Sequence, residues 1–237
     1  MARKGKLGQK SKRDTIERPV RFKRYGHLFL IVCEDENTEP QYFKQFVNLF
    51  PKETLYLKTV GTGLDPKGVV ESAIKERDAL ALSSEKEVDY VWVVFDKDDA
   101  DLNEARIERF NAAFNIAKEQ KIAVAYSNEV FELWLLLHLK DVDSTVPLSR
   151  KQIYKDLEAQ IKRQQEHAHF TYVHGNAEVI KIIRKIGDES SAIERAKTLL
   201  LAHAHTAPIN ANPSTRMHLL VQEIRNWVAF YTFEPER

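Results

Sequence analysis

The chain has 237 residues, 43% of them apolar, and a formal net charge of +1, which suits one domain with an extension or one and a half domains. Its single cysteine, Cys33, excludes an intramolecular disulfide and argues against a cysteine-rich zinc site. No apolar run reaches the length of a membrane span and no secretory pattern opens the sequence, so a cytoplasmic protein with no membrane partner is expected. The near-zero charge conceals an asymmetry, because residues 1–25 carry +8 and leave −7 on the remainder.

Residues 1–24 lack apolar periodicity and are expected to form a basic, disordered tail. Its cations, among them Lys4, Lys6, Lys10, Lys12, Arg13, Arg21, Lys23 and Arg24, suit contact with a nucleic-acid backbone, although basic termini also serve simply as solubilising segments. The run His27–Cys33 reads as a buried strand that ends at Glu34. Thr38-Glu39-Pro40 opens a helix to about Phe50, with Thr38 as N-cap and Pro40 in the first turn. Thr54–Val60 predicts a second strand, Asp65-Pro66 starts a second helix, and Tyr90–Phe95 is a third strand. A helix over Asn103–Gln120 and a short strand over Ile122–Tyr126 follow. This alternation predicts an α/β fold, a doubly wound parallel sheet of about four strands in a domain spanning 25–145. Phe131–Leu139 is a strongly apolar helix carrying Glu132 and His138. Residues 146–237 read as a mostly helical C-terminal extension, with helices near 149–166, 176–187, 189–204 and 213–232.

Ligands of open parallel sheets bind at the carboxyl ends of the strands, and that is where the acids fall. Glu34 follows the first strand, and Asp96 and Asp98 follow the third. Two such charges about 4 Å apart repel by roughly 4 kcal/mol at an effective dielectric near 20, so a proton or a divalent cation must offset them. In an extended segment Asp96 and Asp98 point to one side while Lys97 points away, which would let both grip one Mg²⁺ or Mn²⁺. Glu34 is then a base or a ligand to a second ion. Glu39 sits in the same acidic loop, although its place in a first helical turn is explained by the helix dipole alone. Asn128 lies at the active edge, with Glu132 one turn on, where it needs a cation or an Arg or Lys partner. His138 is more often a satisfied core histidine than a ligand. The remaining histidines have no partnering cysteine, which argues against zinc. Asn212-Pro213-Ser214-Thr215 reads as a turn with capping hydroxyls, or as backbone donors for a phosphate.

Four blocks in order resemble the RloB-like proteins. They are Cys33-Glu34-Asp35-Glu36-Asn37-Thr38-Glu39-Pro40-Gln41-Tyr42-Phe43, Val94-Phe95-Asp96-Lys97-Asp98-Asp99, the segment Ser127–His138, and Asn212–His218. The resemblance implies a Toprim-like domain, akin to the catalytic domains of topoisomerases, primases and overcoming-lysogeny-defect nucleases. It further implies Mg²⁺-dependent phosphodiester chemistry with Glu34, Asp96 and Asp98 as the acidic triad, a role in phage defence by abortive infection, and an AAA-type ATPase partner of the RloA kind. Asp35 stands where the family has glycine, and Glu129 where it has proline. Two other readings stay open: a phosphotransfer or phosphatase-like module, and a non-catalytic nucleic-acid-binding partner of the ATPase. DNA and RNA are both open as substrates, and so is a homo-oligomer.

Overall fold

A computed structural model describes residues 24–233. The expected disordered tail, with Lys4, Lys6, Lys10, Lys12, Arg13, Arg21 and Lys23, lies outside the described residues. Arg24 lies within them and pairs with the exposed Glu53 at 3.0 Å.

β1 (His27–Cys33), β2 (Leu55–Gly61), β3 (Tyr90–Asp96) and β4 (Ala123–Asn128) are parallel in the order β2-β1-β3-β4. The continuous apolar runs of β1 and β3 form strands buried on both faces, whereas the alternating β2 lies at the sheet edge and buries only Leu55 and Leu57. A two-residue strand that the sequence pattern did not announce, β5 (Ser214–Thr215), adds antiparallel to β4. Such a short element has no periodicity to read. Its pairing is fixed by register, with Ser127 opposite Thr215 and their hydroxyls 2.9 Å apart. Ser214 and Thr215 are fully buried there, which removes the phosphate-donor reading of that segment.

Alternate residues of each strand feed two cores, as a pleated sheet demands. Leu28, Leu30, Val32, Val93 and Phe95 face α2 (Pro66–Ser84) and α3 (Glu104–Glu119). Phe29, Ile31, Cys33 and Val94 face α1 (Thr38–Val47) and α4 (Glu132–Leu137). Behind these, in the same apolar cluster, pack α5 (Arg150–Lys162), α6 (Glu178–Ile186), α7 (Glu189–Ala202) and α8 (Met217–Thr232). The result is the doubly wound α/β arrangement expected of a Toprim-like domain.

Side-chain oxygens set several helix starts. Asp65 accepts from the Gly68 amide, Asn103 from Arg106 and Asp188 from Ser191, all within 3.1 Å. Thr38 departs from expectation: it is the first helical residue rather than the cap, and its amide donates to the Asp35 carboxylate. Asp35, where the family has glycine, thus substitutes for the missing cap without a left-handed backbone angle.

From β1 the chain moves to β2 on one side through α1. It then returns past β1 to β3 through α2 on the opposite face. The crevice beyond the carboxyl ends of β1 and β3 is therefore the topological switch point.

Candidate active site at the strand ends

Glu34 and Asp96 meet at that crevice. The Glu34 amide donates to the Val94 carbonyl (2.9 Å), which carries the β1–β3 ladder one residue past the strand. Its side chain reaches across, and Oε2 accepts from the Asp96 amide at 2.9 Å. Asp96 in turn accepts from the Phe131 amide through Oδ2 (2.9 Å), tying the end of β3 to the approach to α4. The other oxygen of Asp96, Oδ1, is buried and has no hydrogen-bond partner. A buried carboxylate oxygen left without a donor is costly, so this atom marks a place where a proton or a ligand belongs.

Glu39 belongs to the same cluster. The dipole explanation would leave it at the surface, yet it is 1% exposed and accepts from the Asp35 amide (3.2 Å). Burial is the first cause of its raised proton affinity, and the neighbouring Glu34 and Asp35 carboxylates add to it. Burial likewise pushes Glu34 up to about 7, against the Asp96 hydrogen bond, with Asp98 raising it further. Asp96 is raised by burial and then by Glu39 and Glu34. Asp98 is raised by burial, opposed by Arg150.

The extended-segment argument for Asp96 and Asp98 does not hold. β3 ends at Asp96, and Asp98 adopts a left-handed backbone (φ 48°), a conformation aspartate tolerates better than most residues. Lys97 does not point to solvent. It is 6% exposed and its Nζ lies 2.7 Å from Asp101 and 2.9 Å from Glu129. Asp98 nevertheless stays with the cluster, because the turn brings it into a cleft shared with Glu34, Glu39 and Asp96. Its carboxylate is engaged by Arg150, 2.9 Å away, which also holds Asp99 at 2.8 Å. No feature of the sequence assigned Arg150 to this edge; it arrives because α5 packs beside α4.

The supporting residues divide. Asn128 ends β4 and donates to the carbonyls of Pro208 (3.1 Å) and Ile209 (3.2 Å), so it braces the loop before β5 and does not line the acidic cleft. Glu132 is buried beside the cluster, but its partners are not the expected Arg or Lys: Oε1 accepts from the Tyr172 hydroxyl, with the His174 ring 4.0 Å away. Burial raises its proton affinity and Tyr172 opposes the rise. His138 lies outside the acidic site. It is buried, Nδ1 sits 2.9 Å from the Trp134 carbonyl, and burial lowers its proton affinity. Asn212 fixes the loop before α5, bonding Leu148 at both its amide (2.9 Å) and its carbonyl (2.9 Å).

Among the described residues no group of three or more histidine, cysteine or carboxylate side chains stands as a ready-made metal site. The donor set still suits a hard divalent cation. Apart from the exposed His174 at the rim, the side-chain donors in the cleft are carboxylate oxygens, Asp96 Oδ1 has no other partner, and Mg²⁺ usually takes one or two carboxylates while keeping waters. Full use of Asp98 as a ligand requires Arg150 to let go.

No curated protein and no solved structure matches the chain. The profile of one family, described as RloB-like protein, matches residues 29–224, from β1 into α8 and across every residue of the acidic cleft. With most of its length inside that match, the chain belongs to the RloB-like protein family.

Proposed function

We propose that this protein is a Mg²⁺- or Mn²⁺-dependent nuclease that hydrolyses phosphodiester bonds of DNA or RNA. One observation carries the reading: Glu34 and Asp96 are joined across the switch-point crevice, and a buried oxygen of Asp96 faces no donor. Asp96 and Asp98 would hold the cation, with Glu34 as the general base or a further ligand. A bound cation at such a site lowers the pKa of water and stabilises charge on a phosphoryl oxygen. The chain's own residues do the rest. Burial raises the proton affinity of Glu34 in the metal-free cluster, and a cation held beside it would favour the ionised carboxylate that a general base requires. Glu39 and Asp35 hold Glu34's loop onto α1. Arg106, in the cleft on the α3 side of the acids, supplies positive charge along the path of a polyanion, while Arg109 beside it is held by the Asp65 carboxylate.

Action in phage defence by abortive infection, together with an AAA-type ATPase of the RloA kind, is part of the same proposal. It rests on membership of the family. The test is cleavage of labelled DNA and RNA by the chain with and without that ATPase. Cutting that requires Mg²⁺ or Mn²⁺ and disappears in the double variant Asp96→Ala, Asp98→Ala supports the reading. Equal cutting by a well-folded double variant rejects it. Labelling of Asp96 by an acyl phosphate would favour phosphotransfer instead.

A further inference from the structure

A short ladder of aromatic rings stands at one wall of the acidic cleft. Tyr154, from α5, and Tyr172, from the loop before α6, are stacked with ring centroids 4.7 Å apart and planes 28° from parallel. His174 continues the ladder, 5.9 Å from Tyr154 at 35°, and its Nδ1 is 3.3 Å from the Tyr154 hydroxyl. Its far end is open: the His174 side chain is 71% exposed. Its base is anchored, because the Tyr172 hydroxyl donates to the buried Glu132. His174 and Arg150 line the same cleft as Glu34, Asp96 and Asp98.

Core packing accounts for Tyr154 and Tyr172, which lie against the main apolar cluster, but not for the exposed His174. A histidine at the outer end of a tyrosine pair buries little, yet it sets a flat π-surface beside the carboxylates. An exposed ring next to a cation and a phosphate-handling centre is how proteins take hold of unpaired bases, since every base has a face to stack and a duplex keeps its faces covered. We propose that the Tyr172–Tyr154–His174 ladder is the seat of an unpaired nucleobase, and that the substrate is single-stranded or locally unpaired nucleic acid. The base stacks on His174, and the phosphate beside it meets the Arg150 guanidinium at the edge of the acids. This inference rests on the nuclease reading above and narrows its substrate.

The experiment is fluorescence anisotropy with the full chain, Ca²⁺ replacing Mg²⁺. The probes are short labelled single-stranded DNA and RNA oligonucleotides, the corresponding blunt duplexes, and an abasic strand that keeps phosphates but lacks bases. Single strands should bind more tightly than duplexes. His174→Ala should weaken single-strand binding roughly fivefold or more, His174→Phe should restore it, and neither change should affect the abasic strand. His174 is exposed, so these variants fold. If the parent binds duplex as well as single strand, or if His174→Ala leaves single-strand binding unchanged, the ladder is not a base seat while the nuclease reading survives. If the parent binds none of the probes, with or without the ATPase, the base seat is overturned, and the nuclease reading is decided separately by the cleavage assay.

Discussion

Asp96 bears the sharpest conflict in the molecule. Its carboxylate is buried within reach of Glu34 and Glu39, with one oxygen bonded to the Phe131 amide and the other to nothing. Asp96→Asn keeps the shape and removes a charge from a patch where each close pair costs on the order of a few kcal/mol. The variant should therefore melt at a higher temperature than the parent in metal-free buffer above neutral pH. Mn²⁺ should raise the melting temperature of the parent and leave that of the variant unchanged. Differential scanning calorimetry decides it; an equal Mn²⁺ response in both proteins would remove Asp96 from the ligand set. His218 makes an opposite demand. It is buried in the first turn of α8, where desolvation lowers its pKa to about 4. A depressed histidine stays neutral in the fold, so its contribution is intact above about 6.5 and is lost as pH falls through about 4. His218→Leu should shrink the difference in unfolding free energy between pH 7 and pH 4 by about 2–3 kcal/mol, read from urea titrations.

At the scale of elements, the turn after β3 is what presents the acids, and Lys97 is its pin. The amides of Lys97 and Asp98 bond the carbonyls of Ser127 and Glu129 (both 2.9 Å), while the Lys97 ammonium spans Asp101 and Glu129. Lys97→Met leaves Glu129 half-buried without its cation and should cost about 2–3 kcal/mol. Asp101→Asn, on the exposed end of the same network, should cost well under about 1 kcal/mol. Equal losses in chemical denaturation would mean that burial is not what makes Lys97 matter. Because the turn also carries Asp98, the proposed nuclease function predicts that Lys97→Met weakens any cleavage as well as stability. α4 pins the other side of the site. Leu133, Leu135, Leu136 and Leu137 are fully buried between sheet and helical layer, and Glu132 is held among them by Tyr172.

At the scale of the whole molecule, one apolar cluster runs from Phe29, Phe43 and Trp134 to Ile153, Ile183, Leu199 and Ile224, and β5 extends the sheet itself. A chain cut after residue 145 would bare that face, so it should bind 8-anilinonaphthalene-1-sulfonate (ANS) and melt without a cooperative transition. A sharp melt would show instead that 25–145 stands alone. Among the described residues no helix is long and apolar enough to cross a membrane. The strands and helices were legible in the sequence because burial on both faces writes continuous apolar runs in β1 and β3, the edge strand β2 alternates, and burial on one face writes helical periodicity. Glu34, Asp96 and Asp98 were legible because each falls just past such a run. Glu39 was undervalued, since a helix dipole explains an exposed carboxylate but says nothing about a buried one. Arg150, Tyr172 and His174 carried no local signal at all. The chain by itself determined which segments become strands and which ends carry acid, because those depend on neighbours three or four residues away. Only the tertiary structure decided that Arg150 would clasp Asp98 and that an aromatic ladder would stand beside the acids. Arg150 lies 51 positions from Asp99 and Tyr172 lies 40 from Glu132, separations that no local pattern encodes.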